Sequence, residues 1–234
     1  MKVWVTRAEP GASATAERVR TAGHPALVGP LLAVRPLPAP EPRSSGVGAL
    51  AFTSAAGVRA ATASPLADHW RGLPVFAVGD ATADAARRAG FPTVTSAGGD
   101  VRALARLVIE FRGEFSGEVL HLGAQNRAGD LAGALAAAGV PARTVALYET
   151  VALPLPPEVR ARWSELRAVT IHSPRAARAF LAATAALEAS HLIAACISSS
   201  AAAPLYGRVG EVRVAAEPNE SALLARLGKP LAPR

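Results

Sequence analysis

The chain has 234 residues, half of them hydrophobic, enough for one large domain or two of about 100–120 residues. No apolar run reaches the ~18 residues of a membrane-spanning helix, and the single cysteine, Cys196, excludes an intrachain disulfide framework and fits a reducing compartment. The formal net charge is +7, but the arginines stand one or two at a time and aromatics make up 5% of residues, too few rings for a surface that stacks single-stranded nucleic acid.

Short apolar, β-branched runs alternate with alanine-rich runs, the pattern of βαβ units around a parallel sheet. The opening Met1-Lys2-Val3-Trp4-Val5 enters a strand directly, without the apolar stretch and small-residue cleavage site of a signal peptide, so a cytoplasmic location is expected. The first predicted strand is 3–6. It leads to a helix over 13–22, with Ser13 as N-cap and Gly23 as the stop. Strands follow at 50–53, 75–78 and 93–95, with helices at 55–63, 81–89 (ended by Gly90) and 100–111. In the second half, strands are predicted at 119–122, 143–146, 169–171, 192–197 and 212–214. The helices there are 128–138, 157–166, 174–183, 201–207 and 221–227. Two segments, 31–42 and 147–157, are extended runs that end in prolines and resist helix formation; they read as paired connectors.

The chain also repeats itself. Shifted by 119 residues, Ala51-Phe52-Thr53-Ser54 falls on Thr170-Ile171-His172-Ser173 and Val78-Gly79-Asp80 on Ile197-Ser198-Ser199. With no gap, Asp100 falls on Asn219 and Leu104 on Leu223. A shift of 116 places Val3-Trp4-Val5 on Val119-Leu120-His121. A long repeat predicts two similar domains with a cleft between them. The halves are either sequential, 1–115 and 117–234, or exchanged, with 43–146 continuous and the N-terminal unit completing 155–234. Connectors at the same point of each half favour exchange.

Ligands of parallel sheets bind beyond the carboxyl ends of the strands. Those ends carry Thr6-Arg7, Thr53-Ser54, Gly79-Asp80-Ala81-Thr82, Asn126-Arg127, His172-Ser173 and Ser198-Ser199-Ser200. Most are small or hydroxylic and stand at helix N-termini, where free N–H groups favour anions. Each can simply cap its helix, or the set can hold a ligand with many carboxylates. Arg7 and Arg127 are candidate side-chain partners for such a ligand.

No GxGxxG or P-loop motif occurs, and the histidines lack HxxxH spacing, so neither a nucleotide nor a metal is expected. His172 beside Ser173 resembles a nucleophile pair, but strand neighbours point to opposite faces. Cys196 reads as a core thiol, and Asp80 and Asp100 as helix caps. Tyr148, one of two tyrosines, falls on the second connector.

The sequence resembles the uroporphyrinogen-III synthase family along essentially its whole length. The likeness rests on VWVTRAEP, LVGPLL, AFTSAAGV, VFAVGDATADAARRAG, VLHLGAQNRAGDLAGALAAAGV, ALYET, IHSPRAARAF and VAAEPNESALLARL. It implies an α/β protein of two flavodoxin-like parallel-sheet domains joined by a two-stranded connector, with the N-terminal segment swapped. The expected domains are 1–33 plus 155–234, and 43–146, with connectors 34–42 and 147–154.

The resemblance further implies a cofactor-free lyase. It would close hydroxymethylbilane, a linear tetrapyrrole with carboxylate side chains, into uroporphyrinogen III with inversion of ring D and loss of water. The expected partner is that small molecule alone, with no nucleic acid or membrane, and the chain is expected to be a monomer. Tyr148 matches the family's connector tyrosine and is the candidate catalytic residue. Arg7, Thr53, Ser54, Gly79, Thr82, Asn126, Arg127, Ser173, Ser198 and Ser200 are the candidate substrate-binding residues. The Gly-x-x-Thr-Ala pattern kept by Gly79, Thr82 and Ala83 becomes Ser198, Ala201 and Ala202 in the second copy, where Ser200 offers a hydroxyl. That departure admits an alternative, a non-catalytic two-lobed binding or sensor protein for an anionic ligand.

Overall fold

A computed structural model describes residues 1–38, 46–125 and 129–228. The elements run β1 (Lys2–Val5), α1 (Gly11–Thr21), β2 (Ala26–Val28), β3 (Leu32–Pro36), β4 (Val47–Phe52), α2 (Ala55–Thr62), α3 (Ala67–Trp70), β5 (Val75–Ala77), α4 (Asp80–Arg88), β6 (Val94–Ser96) and α5 (Val101–Glu110). They continue through β7 (Glu118–Ala124), α6 (Leu131–Ala137), β8 (Ala142–Ala152), α7 (Pro157–Ala161), β9 (Leu166–Ile171), α8 (Pro174–Ala183), β10 (Ile193–Cys196), α9 (Ser199–Ala202), β11 (Glu211–Val214) and α10 (Glu220–Ala225). The chain divides into two compact units, Met1–Ala33 with Val151–Arg234, and Val34–Thr150.

Each unit has a central sheet. In the first the strand order is β11-β10-β9-β1-β2, and in the second β3-β8-β7-β4-β5-β6. The pairs β1–β2, β1–β9, β9–β10 and β10–β11 are parallel, as are β4–β5, β4–β7, β5–β6 and β7–β8. All carboxyl ends of those strands therefore lie along one edge of each sheet. The strand order reverses between β1 and β9 in the first unit and between β7 and β4 in the second, the switch points where α/β sheets take ligands.

Alternation along the strands assigns the two faces of each sheet. In the first unit Trp4, Val169, Ile171, Ala194 and Cys196 pack with Ala177 and Phe180 of α8. Val3, Val5, Ala168 and Ala195 face the other way, onto Ala12, Ala16 and Val19 of α1 and Leu223 of α10. In the second unit Leu50, Phe52, Leu120 and Leu122 meet Val58 and Ala61 of α2, while Ala49, Ala51 and Val119 meet Leu104 and Val108 of α5 and Leu131 and Leu135 of α6. Strands buried on both faces read as continuous apolar runs, which is why they were visible in the sequence. Cys196 is a core thiol, and burial pushes it up to about 12.

Several sequence expectations are corrected. Helix α1 starts at Gly11 after Pro10, so Ser13 lies inside the helix rather than capping it, and its hydroxyl donates to Glu9 Oε1 at 2.7 Å. Asp80 is the first residue of α4, not its cap; its carboxylate accepts from Ser96 Oγ at 2.7 Å. The helix expected over 157–166 ends at Ala161, and α3 was not foreseen as an element. The run 147–157 is extended as expected up to Ala152, where it is the last part of β8, and β8 lies beside β3 from the other extended run. No proline intervenes before Pro154, and Thr150 and Val151 keep the β-branched character of a strand. The other extended run forms β3 at the edge of the sheet, where Pro36 sits without disrupting a central ladder.

Candidate functional site

The carboxyl edge of the second unit carries a set of hydroxyl, imidazole and phenol groups. Ser54, just past β4, is the N-cap of α2, and its Oγ accepts the Gly57 N–H at 3.1 Å. Gly57 has no Cβ to spare: one would stand 2.8 Å from Leu122 O, so α2 lies directly against β7. The same Ser54 Oγ is 2.9 Å from the Tyr148 hydroxyl. Beside it, Thr53 Oγ1 is 3.2 Å from His121 Nε2, and His121 Nδ1 is 3.3 Å from Thr144 Oγ1.

Tyr148 reaches Ser54 because β8 is bulged. Gly123 pairs with Ala146, but Ala124 pairs with Tyr148, leaving Leu147 as an extra residue. Strict alternation would turn Tyr148 away from the face that buries Val145. The extra residue turns it back into the same cluster as Val145 and Phe52, where it is 5% exposed. Since β7 lies between β8 and β4, the tyrosine hydroxyl spans the end of β7 to meet the cap of α2.

Gly79 caps α4 with its backbone alone, its carbonyl accepting from Thr82 and Ala83, and a Cβ there would meet open space. Thr82 is buried in the first turn of α4. Asn126 and Arg127 lie outside the described residues.

The corresponding edge of the first unit is charged. Arg7, just past β1, donates from Nη1 to Thr15 Oγ1 at 3.3 Å and to Glu220 Oε2 at 3.1 Å. Arg18 also reaches Glu220 Oε2, at 2.9 Å, and Thr15 donates to Glu220 Oε1. His172, just past β9, has Nε2 at 3.9 Å from Glu220 Oε1, too long for a hydrogen bond. Burial, with the Arg7 charge in support and Glu220 opposing, holds its pKa down to about 4, so the ring is neutral near pH 7. Ser173 caps α8 and accepts the Ala176 N–H at 3.1 Å. His172 and Ser173 therefore form no nucleophile pair. Ser198 caps α9, accepting from Ala201 N at 3.3 Å, with the exposed Ser200 hydroxyl 3.0 Å from Ser198 Oγ.

Ser54, Ser173 and Ser198 thus do what the capping reading requires, each accepting an amide of its helix's first turn. Among the described residues no three of His, Cys, Asp and Glu could hold a metal, and no helix is long and apolar enough to cross a membrane. A cavity of about 590 Å³ lies at the opposite, amino end of β9 and β10, lined by Trp163, Ser164, Arg167, Glu188 and His191.

The family model described as uroporphyrinogen-III synthase HemD matches residues 13–225. The chain belongs to the uroporphyrinogen-III synthase family. Membership of that family makes it a lyase of the tetrapyrrole pathway with a small tetrapyrrole substrate. The crystal structure of uroporphyrinogen-III synthetase from Helicobacter pylori 26695 has the same fold, at 21% identity over 97% of both chains and a TM-score of 0.70. A mutant uroporphyrinogen III synthase from Thermus thermophilus is similar at 19% identity over 97% of both chains, with a TM-score of 0.57. No curated protein sequence matches the chain.

Within this family fold, sequence reasoning placed Ser54, Tyr148, Arg7, Ser198 and Ser200 at strand or helix ends but did not foresee their partners. It missed His121, Thr15, Arg18 and Glu220. The signal for Glu220 was slight, since its place after the capping Asn219 reads only as a helix start.

Proposed function

We propose that the chain closes hydroxymethylbilane into uroporphyrinogen III, with inversion of ring D and loss of one water. The family match over residues 13–225 is the observation that carries this reading. The substrate is a floppy polyanion, and the enzyme's main task is to hold it so that the substituted carbon of the last ring attacks. Positioning of that kind lowers a barrier by several kcal/mol (on the order of 5 or more) without any catalytic cluster.

Loss of the hydroxymethyl oxygen leaves an azafulvene cation, and attack by the substituted carbon gives a spiro intermediate that rearranges to the inverted ring. Tyr148 lends its proton to the departing hydroxyl, and the ring proton released on rearomatisation restores it. The Ser54 hydroxyl, 2.9 Å away, orients the phenol. Arg7, Thr53, Ser54, Gly79, Thr82, Asn126, Arg127, Ser173, Ser198 and Ser200 hold the carboxylates at the strand ends, through backbone N–H groups and hydroxyls. The working domains are the exchanged ones, 1–33 with 155–234, and 43–146, with 34–42 and 147–154 between them. The protein acts in the cytoplasm as a monomer, on this small molecule rather than on nucleic acid or a membrane.

Freshly made hydroxymethylbilane tests the reading. Spontaneous closure gives the type I isomer, so the chain is expected to shift the product to type III. Type I alone, with the folded protein in excess, rejects catalysis and leaves the non-catalytic binding protein as the surviving alternative.

A further inference from the structure

At the carboxyl edge of the first unit, three charged side chains leave an imbalance. Arg7 and Arg18 share one counter-ion, the Glu220 carboxylate, so the cluster carries one positive charge beyond neutrality. Among the described residues Arg7 donates through Nη1 alone. Its guanidinium lies against the start of α1, where a Cβ on Gly11 would come 2.5 Å from Nε. Glycine at that position makes the pose possible.

His172 completes the cluster. Its side chain is 9% exposed, and both ring nitrogens are buried without a hydrogen-bond partner. A buried polar atom left unpaired carries the full cost of its lost hydration, which folding seldom tolerates without a function. The neighbouring Ser173 hydroxyl serves its helix, and Glu220 is out of hydrogen-bonding reach.

We propose that His172 is a substrate-binding residue: its N–H and the free edge of Arg7 together hold one carboxylate of the ligand, and Glu220 is the positioning residue that fixes Arg7. This rests on the tetrapyrrole reading above. One added anion makes the cluster neutral and supplies the missing partner of the ring. The low pKa brings the imidazole in as a neutral donor, so no charge on it needs compensation before the ligand arrives. Arg7, at the end of β1, and Glu220, on α10, are the charged groups that act on it, and Arg18 of α1 is tied to the cluster through Glu220.

The test uses uroporphyrin III, an unreactive octacarboxylate, together with the isomer assay on the full chain. His172→Phe is expected to weaken uroporphyrin binding and raise KM by roughly tenfold, the loss of one hydrogen bond to a charged group, with kcat changed less than about threefold. His172→Gln, which keeps a donor, is expected to recover most of that loss. In the wild-type chain the His172 ring resonances, identified against His172→Gln, are expected to shift as uroporphyrin saturates, and this readout does not depend on His172→Phe folding. Wild-type affinity in His172→Phe, or ring resonances that do not move at saturation, overturns the proposal. If type III forms normally in that case, the functional reading stands without it. If the wild type binds uroporphyrin through His172 but makes only type I, the binding residue stands and the catalytic reading falls. A wild-type chain that neither binds uroporphyrin nor makes type III overturns both.

Discussion

The two units use one strand order and two kinds of chemistry. Under the repeat shift, Ser54 corresponds to Ser173, Gly79 to Ser198 and Asp100 to Asn219, and every one of these six residues stands at a helix N-cap. The backbone device is retained. The residue beside the first cap differs: Thr53 bonds to His121 in a hydroxyl–imidazole chain, while His172 lies buried beside an arginine–glutamate pair. Caps constrain only the few atoms at a helix start, so they survive divergence between copies. Residues one position away are free to sit beside an ion pair in one unit and in a hydroxyl–imidazole chain in the other.

That contrast can be broken at the level of whole units. The second unit is one continuous segment, whereas the first takes its β1 and β2 from the opposite end of the chain. A fragment of residues 34–150 is expected to unfold cooperatively in denaturant. Residues 117–234 lack β1, which pairs with β9 at the centre of the first sheet, and are expected to be aggregated or molten by the same measurement. Cooperative unfolding of both fragments would make the exchange irrelevant to folding.

The phenol side of the comparison is sharpened by Tyr148→Phe. Removing the hydroxyl is expected to cost roughly 10²–10³ in type III turnover, the usual scale for a proton-transfer group. Stability should fall by only about 1 kcal/mol, for the lost Ser54 hydrogen bond. Stopped-flow isomer analysis and urea unfolding read the two effects, and an unchanged rate at saturating substrate removes the hydroxyl from the chemistry.

The charged side is probed by pH. The His172 pKa falls from 6.5 unfolded to about 4 folded. Between those values the unfolded chain binds a proton that the folded chain does not, so stability rises with pH across that window and is lost as pH falls through it. His172→Gln is expected to remove that contribution, on the order of 3 kcal/mol at pH 4, and to leave pH 8 stability little affected. Parallel wild-type and variant curves from pH 4 to 8 would show that the ring does not titrate in this way.

The caps themselves distinguish the units more gently. Ser173→Ala is expected to cost about 1 kcal/mol of stability, as for other N-caps. Ser54→Ala should cost a similar amount and also slow turnover, because Tyr148 loses its partner. Equal turnover in the two variants would count against the Ser54–Tyr148 pair as a functional unit. The smallest effect is ionic. Raising salt from 0.05 to 0.5 M (roughly a threefold drop in screening length) is expected to weaken uroporphyrin binding by severalfold, and less so in Arg7→Gln. A flat salt dependence means that the carboxylates are not read by charge.

Much of this architecture was legible in the chain alone. The strands are buried on both faces, so they appear as apolar runs, and Gly23 and Gly90 both take positive φ, 83° and 88°, where the helices before them stop. The repeat exposed the duplicated sheet because the same caps recur at a fixed spacing. Serine and threonine at the strand ends were also visible, since a hydroxyl before a helix is a local signal. What the sequence by itself determined was therefore local: element type, caps and the doubling of the fold.

The tertiary structure decided which of these groups meet. Arg7 and Glu220 are 213 positions apart and come together only when the first sheet draws its strands from both ends of the chain. The bulge at Leu147 reverses the side on which Tyr148 is buried, and period-two reading cannot anticipate one extra residue. The low pKa of His172 follows from burial and a neighbouring cation, neither of which is written in residues 171–174. Burial, register and long-range electrostatics are properties of the packed chain, and they carry the chemistry here.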